Sequence, residues 1–312
     1  MRLIFCGTPR FAVPTLAALV ERRIPIDLVV TNPDEPSGRS YEVKAPPVKV
    51  EAERSGLAVF QPAKLKDPAT QAFISAYRPD AIVVVAYGHI IPPWMVELPR
   101  LGCINLHASL LPKYRGAAPV AWALIRGERV TGLTTMKIDA GLDTGDILLQ
   151  REVGIEDADT TATLLERMSG IGAGLMVETL DGLERGMIQP RPQDHAAATL
   201  APMLKKEDGR IDWSLRVEEI ARRVRGLDPW PGAYTTFRGK NLRLWSAAAT
   251  PSSPEATAGP GVAWVEGGRL IVACGQGTGL ELRELQLEGR KRIPARDFLN
   301  GVRLAPGEKL GG

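Results

Sequence analysis

The stretch AIVVVAYGHIIPPWMVELPRLGCINLHASLLPKYRGAAP, residues 81–119, holds two short apolar runs, AIVVVAY (81–87) and GCINLHA (102–108). Runs of this length that are apolar throughout suit strands buried on both faces, as in a parallel sheet covered by helices. The pattern continues towards the amino terminus. RLIFCGT (2–8) and IDLVVTN (26–32) are two further buried-strand runs, and Phe11–Arg22 and Val48–Ser55 carry helical periodicity. Strands alternating with helices predict an α/β fold with a Rossmann-like, mostly parallel sheet, whose ligands gather beyond the carboxyl ends of the strands. The second run of the opening stretch ends at that edge, where it carries Asn105 and one of only three histidines, His107.

Polar side chains buried at a strand end cost stability unless they are paired. Positions i and i+2 of a strand point the same way, so Asn105 and His107 share a face. An amide and an imidazole converging there offer hydrogen bonds to an oxygen that gains charge during a reaction. Each alone reads more often as a satisfied core polar group; the pair at this edge shifts the reading towards a site. A second element, MKIDAGLDTGDILL (136–149), sets Asp139, Asp143 and Asp146 among Gly141 and Gly145. The acidic spacing is not that of a calcium loop, which disfavours a metal. Asp139 and Asp146 suit turn or capping roles, which leaves Asp143 to face the site. No G-x-S-x-G elbow surrounds Ser109, so the trio suits direct attack by a substrate's own nucleophile on a carbonyl, with side chains managing charge and proton. Only Gly7 follows the first strand, and without the three-glycine fingerprint a dinucleotide cofactor is not expected.

A chain of 312 residues with 44% hydrophobic content is long enough for two domains. No apolar run approaches the roughly 20 residues of a membrane span, and MRLIFCGTPRF breaks at Gly7 and Pro9 before a signal-peptide core can form. A cytoplasmic protein without membrane contact is expected. Cys6, Cys103 and Cys274 lack C-x-x-C spacing and are odd in number, which argues for buried thiols over zinc or disulfides. Between Gln189 and Lys206 the pattern lapses into QPRPQDHAAATLAPMLKK. That predicts a first domain over 1–188, a linker over 189–207 and a second domain over 208–312. Beyond the linker a helix bearing Arg222, Arg223 and Arg225 precedes the short runs NLRLWSA, GVAWVEG, RLIVACG and LELRELQLEG, a pattern that predicts a small β-barrel. Residues 1–207 hold 23 Lys and Arg against 24 Asp and Glu, and residues 208–312 hold 16 against 12. The positive excess of the second domain has the sign expected for a polyanionic partner, or of an ordinary solvated surface.

HASLLPKYRGAAP (107–119), GLDTGDILL (141–149), IFCGTPRFA (4–12), PDEPSGR with PPVKV (33–39, 46–50) and DWS with DPWP (212–214, 228–231) together resemble the methionyl-tRNA formyltransferases. The first two motifs are shared by folate-dependent formyltransferases in general. The resemblance implies a Rossmann-like formyltransferase domain followed by an OB-like barrel, 10-formyltetrahydrofolate as formyl donor, and initiator methionyl-tRNA as acceptor partner of a monomer. It implies that Asn105 and His107 hold the oxyanion of a tetrahedral intermediate, while Asp143 orients His107 and relays a proton from the attacking amine. The folate would lie along Ser109, Leu110, Leu111 and Pro112 and against the loop Tyr87, Gly88, His89 and Ile90. The long connection 32–50 would meet the acceptor stem through Arg39, Lys44 and Lys49, with Arg222, Arg223 and Arg225 on tRNA phosphates. Where the family carries a basic run, Ser40, Tyr41, Glu42 and Val43 follow Arg39 here, which weakens the electrostatic term. A formyltransferase acting on an amino-sugar nucleotide shares the same catalytic motifs, and a non-enzymatic RNA-binding module is the reading from another class.

Overall fold

The computed structural model describes residues 1–37, 42–250 and 258–311. The chain divides into two units. Met1–Pro119, Val130–Gly154 and Leu165–Ala201 form the first, and Val120–Arg129, Ile155–Leu164 and Pro202–Gly312 the second.

In the first half of the chain the elements run β1 (Leu3–Gly7), α1 (Val13–Glu21), β2 (Ile26–Val30), β3 (Glu35–Ser37), β4 (Glu42–Lys44), α2 (Pro47–Arg54), β5 (Val59–Phe60), α3 (Pro68–Ser75), β6 (Ala81–Val85), α4 (Pro93–Glu97) and β7 (Cys103–His107). There follow α5 (Pro119–Arg126), β8 (Val130–Lys137), β9 (Ile147–Gly154) and α6 (Thr161–Glu184). The main sheet has the order β5-β2-β1-β6-β7-β8-β9. Its first five strands are mutually parallel, as the alternation predicts, and β8 and β9 add antiparallel to β7 and to each other. Every residue of β1 and of β6 is buried, which is why these runs carry no polar side chain. Ile4, Cys6, Leu28, Val30, Ile82 and Val84 meet Ile74 of α3 and Met95 of α4 in one apolar cluster. Proline opens α2, α3, α4 and α5, where its missing N–H costs no helical bond, and Asp67 caps α3 by accepting from Thr70 N at 3.3 Å.

The second unit carries α7 (Val217–Gly226), β10 (Ala233–Phe237), β11 (Lys240–Thr250), β12 (Ala263–Glu266), β13 (Arg269–Cys274), β14 (Thr278–Leu287), β15 (Ile293–Pro294) and α8 (Ala295–Gly301). Its antiparallel sheet runs β10-β11-β14-β13-β12, with β15 on β14. The last residues of the chain bridge the two outer strands. Gly311 N donates to Thr236 O of β10 at 2.9 Å, while Leu310 N donates to Gly261 O and Ala263 N to Glu308 O, both at 2.8 Å. The buried Trp213 lies under this seam and donates its indole N–H to Thr235 Oγ1 at 3.1 Å.

Residues 189–201 fall in the first unit and 202–207 in the second. Arg191 bridges Ile147 of β9 through two backbone bonds of 2.8 and 2.9 Å, and Arg115 N donates to Thr199 O at 2.8 Å. Among the described residues no helix is long and apolar enough to cross a membrane.

Candidate active site

β7 lies between parallel β6 and antiparallel β8, and at its carboxyl end Asn105 stands opposite Met136 and His107 opposite Thr134. The chain then turns back over the strand end through residues 108–118. This turn is stitched to the sheet. Ser109 is fully buried, with its hydroxyl donating to Lys113 O at 2.6 Å and its carbonyl accepting from Thr134 Oγ1 at 2.7 Å. Leu111 N donates to Thr134 Oγ1 at 3.1 Å, and Gln150 Nε2 donates to Leu111 O at 2.9 Å. Leu111 also packs on Met136 and Ile147, so the segment Ser109–Pro112 is fixed by polar and apolar contacts together.

His107 is buried, and its Nε2 lies 2.9 Å from Tyr114 O. A carbonyl only accepts, so the proton sits on Nε2 and the other ring nitrogen, Nδ1, is left to face Asp143 Oδ2 at 3.6 Å. A lone pair and a carboxylate oxygen at that separation attract only when one proton lies between them. The geometry sets the two groups where a single proton can lie between them. Asp143 reaches this place from a left-handed backbone, φ 52°, and its Oδ2 also accepts from Gly116 N at 2.8 Å. Gly116 has φ +120° and a Cβ there would lie 2.6 Å from Ala201 O, so no other residue fits this donor position. The side-chain amide of Asn105 is half-buried and makes no hydrogen bond to the described residues. Two N–H groups and one carbonyl are thus open to a ligand where β7 ends.

The loop after β6 emerges at the same edge, because β6 and β7 are parallel neighbours. Tyr87 is buried there, and burial, with Cys6 adding, pushes its phenol well above the ordinary value. Its carbonyl accepts from Thr8 Oγ1 at 3.0 Å and its ring meets His89 edge-on at 5.4 Å. Gly88 and His89 are exposed, and Ile90 is 86% exposed. Leu142, beside Asp143, is also exposed. Asp139 serves its own turn, accepting from Gly141 N at 3.0 Å and Thr144 Oγ1 at 2.6 Å.

The cationic candidates differ in how far their charges are engaged. Arg39 lies outside the described residues, Lys44 is exposed at the end of β4, and Lys49 is paired to Asp34 at 2.7 Å. Arg222, Arg223 and Arg225 of α7 are half-buried in the second unit. Arg225 Nη1 donates to Asp159 O at 3.0 Å, and burial lowers its pKa against the pull of Asp157. Arg222 sets its guanidinium against Gly127, where there is no room for a side chain. Reading the sequence missed Arg115, Gln193 and Thr199. Tyr114 N donates to Thr199 Oγ1 at 2.9 Å, and Gln193 binds the loop of Asp143. Among the described residues no group of three or more His, Cys, Asp or Glu is placed to hold a metal ion.

Residues 1–180 match the formyl transferase family, and residues 203–303 match the formyl transferase, C-terminal domain. Over the full length of both chains the protein is 56% identical to the methionyl-tRNA formyltransferase of Acidobacterium capsulatum. The chain belongs to the methionyl-tRNA formyltransferase family. The methionyl-tRNA formyltransferase from Clostridium thermocellum matches its fold with a TM-score of 0.59 at 19% identity, over 92% of this chain and 98% of that one. HypX from Aquifex aeolicus, solved in complex with tetrahydrofolic acid, matches with a TM-score of 0.66 at 19% identity over 98% of this chain. The chain spans 49% of the length of HypX. At these identities the two structures speak to the fold. The two family matches bracket residues 181–202, the stretch from which Gln193 and Thr199 reach the site.

Proposed function

We propose that this enzyme transfers the formyl group of 10-formyltetrahydrofolate to the amino group of methionine on initiator methionyl-tRNA, and that Asn105, His107 and Asp143 carry the chemistry. The observation that supports this most is the open amide of Asn105 beside a histidine whose Nε2 proton is committed to Tyr114 O. The amine lone pair attacks the formyl carbon, and the carbonyl oxygen takes up the negative charge of a tetrahedral intermediate. The Asn105 N–H and the Nδ1–H of protonated His107 donate to that oxygen, where charge develops, and preorganised donors of this kind lower the barrier most. Asp143 balances the imidazolium at 3.6 Å and takes the proton that the attacking nitrogen sheds. Collapse of the intermediate breaks the bond to the folate N10, which leaves with the proton that Asp143 took from the amine. Ser109, Leu110, Leu111 and Pro112 together with Tyr87, Gly88, His89 and Ile90 line the folate, with exposed Gly88, His89 and Ile90 free to offer backbone to a flat, donor-rich ring.

The tRNA reading draws on the basic excess of residues 208–312, 16 Lys and Arg against 12 Asp and Glu. Arg39 and Lys44 then guide the acceptor end, while Arg222, Arg223 and Arg225 add affinity. Each phosphate contact adds roughly one unit to the slope of log affinity against log salt. The acceptor is tested by offering methionyl initiator tRNA and an amino-sugar nucleotide to the purified protein with the same donor. Formylation of the tRNA alone is the expected result. Formylation of the sugar nucleotide alone overturns the acceptor, and formylation of neither overturns the reaction.

A further inference from the structure

Asp143 is held from behind by a closed ring of hydrogen bonds that the transfer chemistry does not itself require. Gln193 Nε2 donates one proton to Asp143 O at 2.9 Å and the other to Gly145 O at 2.7 Å. Gln193 Oε1 accepts from Arg115 Nε at 3.1 Å and from Arg115 Nη2 at 2.6 Å. The residue after Arg115 is Gly116, whose N–H donates to the Asp143 carboxylate at 2.8 Å. The same short segment thus grips Asp143 twice, directly at its carboxylate and through Gln193 at its backbone. All four hydrogen-bonding positions of the Gln193 amide are used, and the residue is 6% exposed.

Arg115 makes the ring more than local packing. It is 7% exposed, and among the described residues the side-chain partners of its guanidinium are Gln193 and His195 Nδ1 at 3.1 Å, neither of them a carboxylate. Burying a cation without a carboxylate partner is costly, and buried polar networks are stable only when every member is satisfied. The left-handed backbone of Asp143, φ 52°, is a second cost, sustained only where the surroundings over-determine it. The first cost falls on the residue that braces Gln193, and the second on Asp143 itself, which faces His107 Nδ1.

We infer that Gln193, braced by Arg115, is a positioning residue that sets the Asp143 carboxylate against His107. The inference rests on the proposed role of Asp143 and goes beyond it by assigning the register of that carboxylate to a residue 50 positions later in the chain. Gln193→Met keeps the side-chain length and removes all four hydrogen bonds. Transfer at saturating substrates should fall about 10-fold to 10²-fold, the scale of a displacement near 1 Å, while folate and tRNA affinities stay near those of the parent protein. A purely structural role would lower the rate by the same factor in any background. A positioning role is coupled to its target, so in an Asp143→Asn background Gln193→Met should cost less than about 3-fold.

The experiment is this double-mutant cycle in single-turnover formyl transfer. Equal losses in both backgrounds, or an unchanged rate in the single variant, overturn the inference. An unchanged rate in Asp143→Asn alone would instead overturn the role of Asp143 on which it rests. If Gln193→Met does not fold, Gln193→Glu takes its place in the cycle. It retains the oxygen facing Arg115 but puts a second oxygen against the Asp143 and Gly145 carbonyls, so the same coupling is expected, and additivity there overturns the inference equally.

Discussion

Replacing Gly116 by alanine strains the backbone and loosens Asp143 in one step. Gly116 has φ +120°, a conformation that costs other residues of the order of 1–3 kcal/mol. Its added Cβ would also lie 2.6 Å from the Ala201 carbonyl oxygen and 3.2 Å from the carbonyl carbon. Those are backbone atoms and cannot rotate aside, so the combined loss should be about 3 kcal/mol or more. Gly56 provides the control. Its φ is +69° and nothing lies within 4 Å of a built Cβ, so Gly56→Ala should cost only the left-handed penalty of about 1–2 kcal/mol. Relief of the Gly116 clash moves the N–H that donates to Asp143 Oδ2 at 2.8 Å. A hydrogen bond to a charged group contributes about 1.5–3 kcal/mol, so transfer should also slow by about 10-fold to 10²-fold. Urea unfolding read by fluorescence gives the first quantity for both variants, and single-turnover formyl transfer gives the second. If Gly116→Ala unfolds at the same urea concentration as Gly56→Ala and keeps the parent rate, the close approach to Ala201 and the hold on Asp143 are both refuted.

Asn105→Ala and His107→Ala should each slow transfer by about 10²- to 10³-fold, the usual loss for one oxyanion donor, with tRNA affinity nearly unchanged in filter binding. Asp139→Asn should leave the rate within a few-fold, because Asp139 is spent on Gly141 N and Thr144 Oγ1. A loss as large as that of Asp143→Asn would show that the wrong carboxylate was chosen. Burial pushes the thiols of Cys103 and Cys274 up to about 12, and that of Cys6 well above its ordinary value. The native protein should therefore resist iodoacetamide at pH 8 and react at all three thiols once unfolded in urea, as mass spectrometry would read.

The parallel strands were legible because their physical cause is local: a strand buried on both faces has no place for a polar side chain, and RLIFCGT and AIVVVAY show none at their centres. The shared face of Asn105 and His107 follows from the two-residue period of a strand, and the turn role of Asp139 from Asp-Gly chemistry. Gln193 was hidden for the opposite reason. It lies in an aperiodic stretch with three prolines, and its partner Arg115 is 78 residues away, a distance no local pattern spans. Arg115 reads in sequence as one more surface cation, since charge is visible there and burial is not. The same limit applies to Arg222 and Arg225, whose charges are plain in the sequence but whose engagement with Gly127 and Asp159 appears only in three dimensions.

The central claim is that Asn105, His107 and Asp143 move a formyl group onto an aminoacyl-tRNA. Its most direct test is single-turnover transfer of labelled formyl from 10-formyltetrahydrofolate to methionyl initiator tRNA, with the purified protein and Asp143→Asn compared under saturating conditions. Formylmethionyl-tRNA is expected from the parent protein, and a rate lower by roughly 10²- to 10⁴-fold in the variant, at equal tRNA affinity. No product from the parent protein, or equal rates from the two, would contradict it.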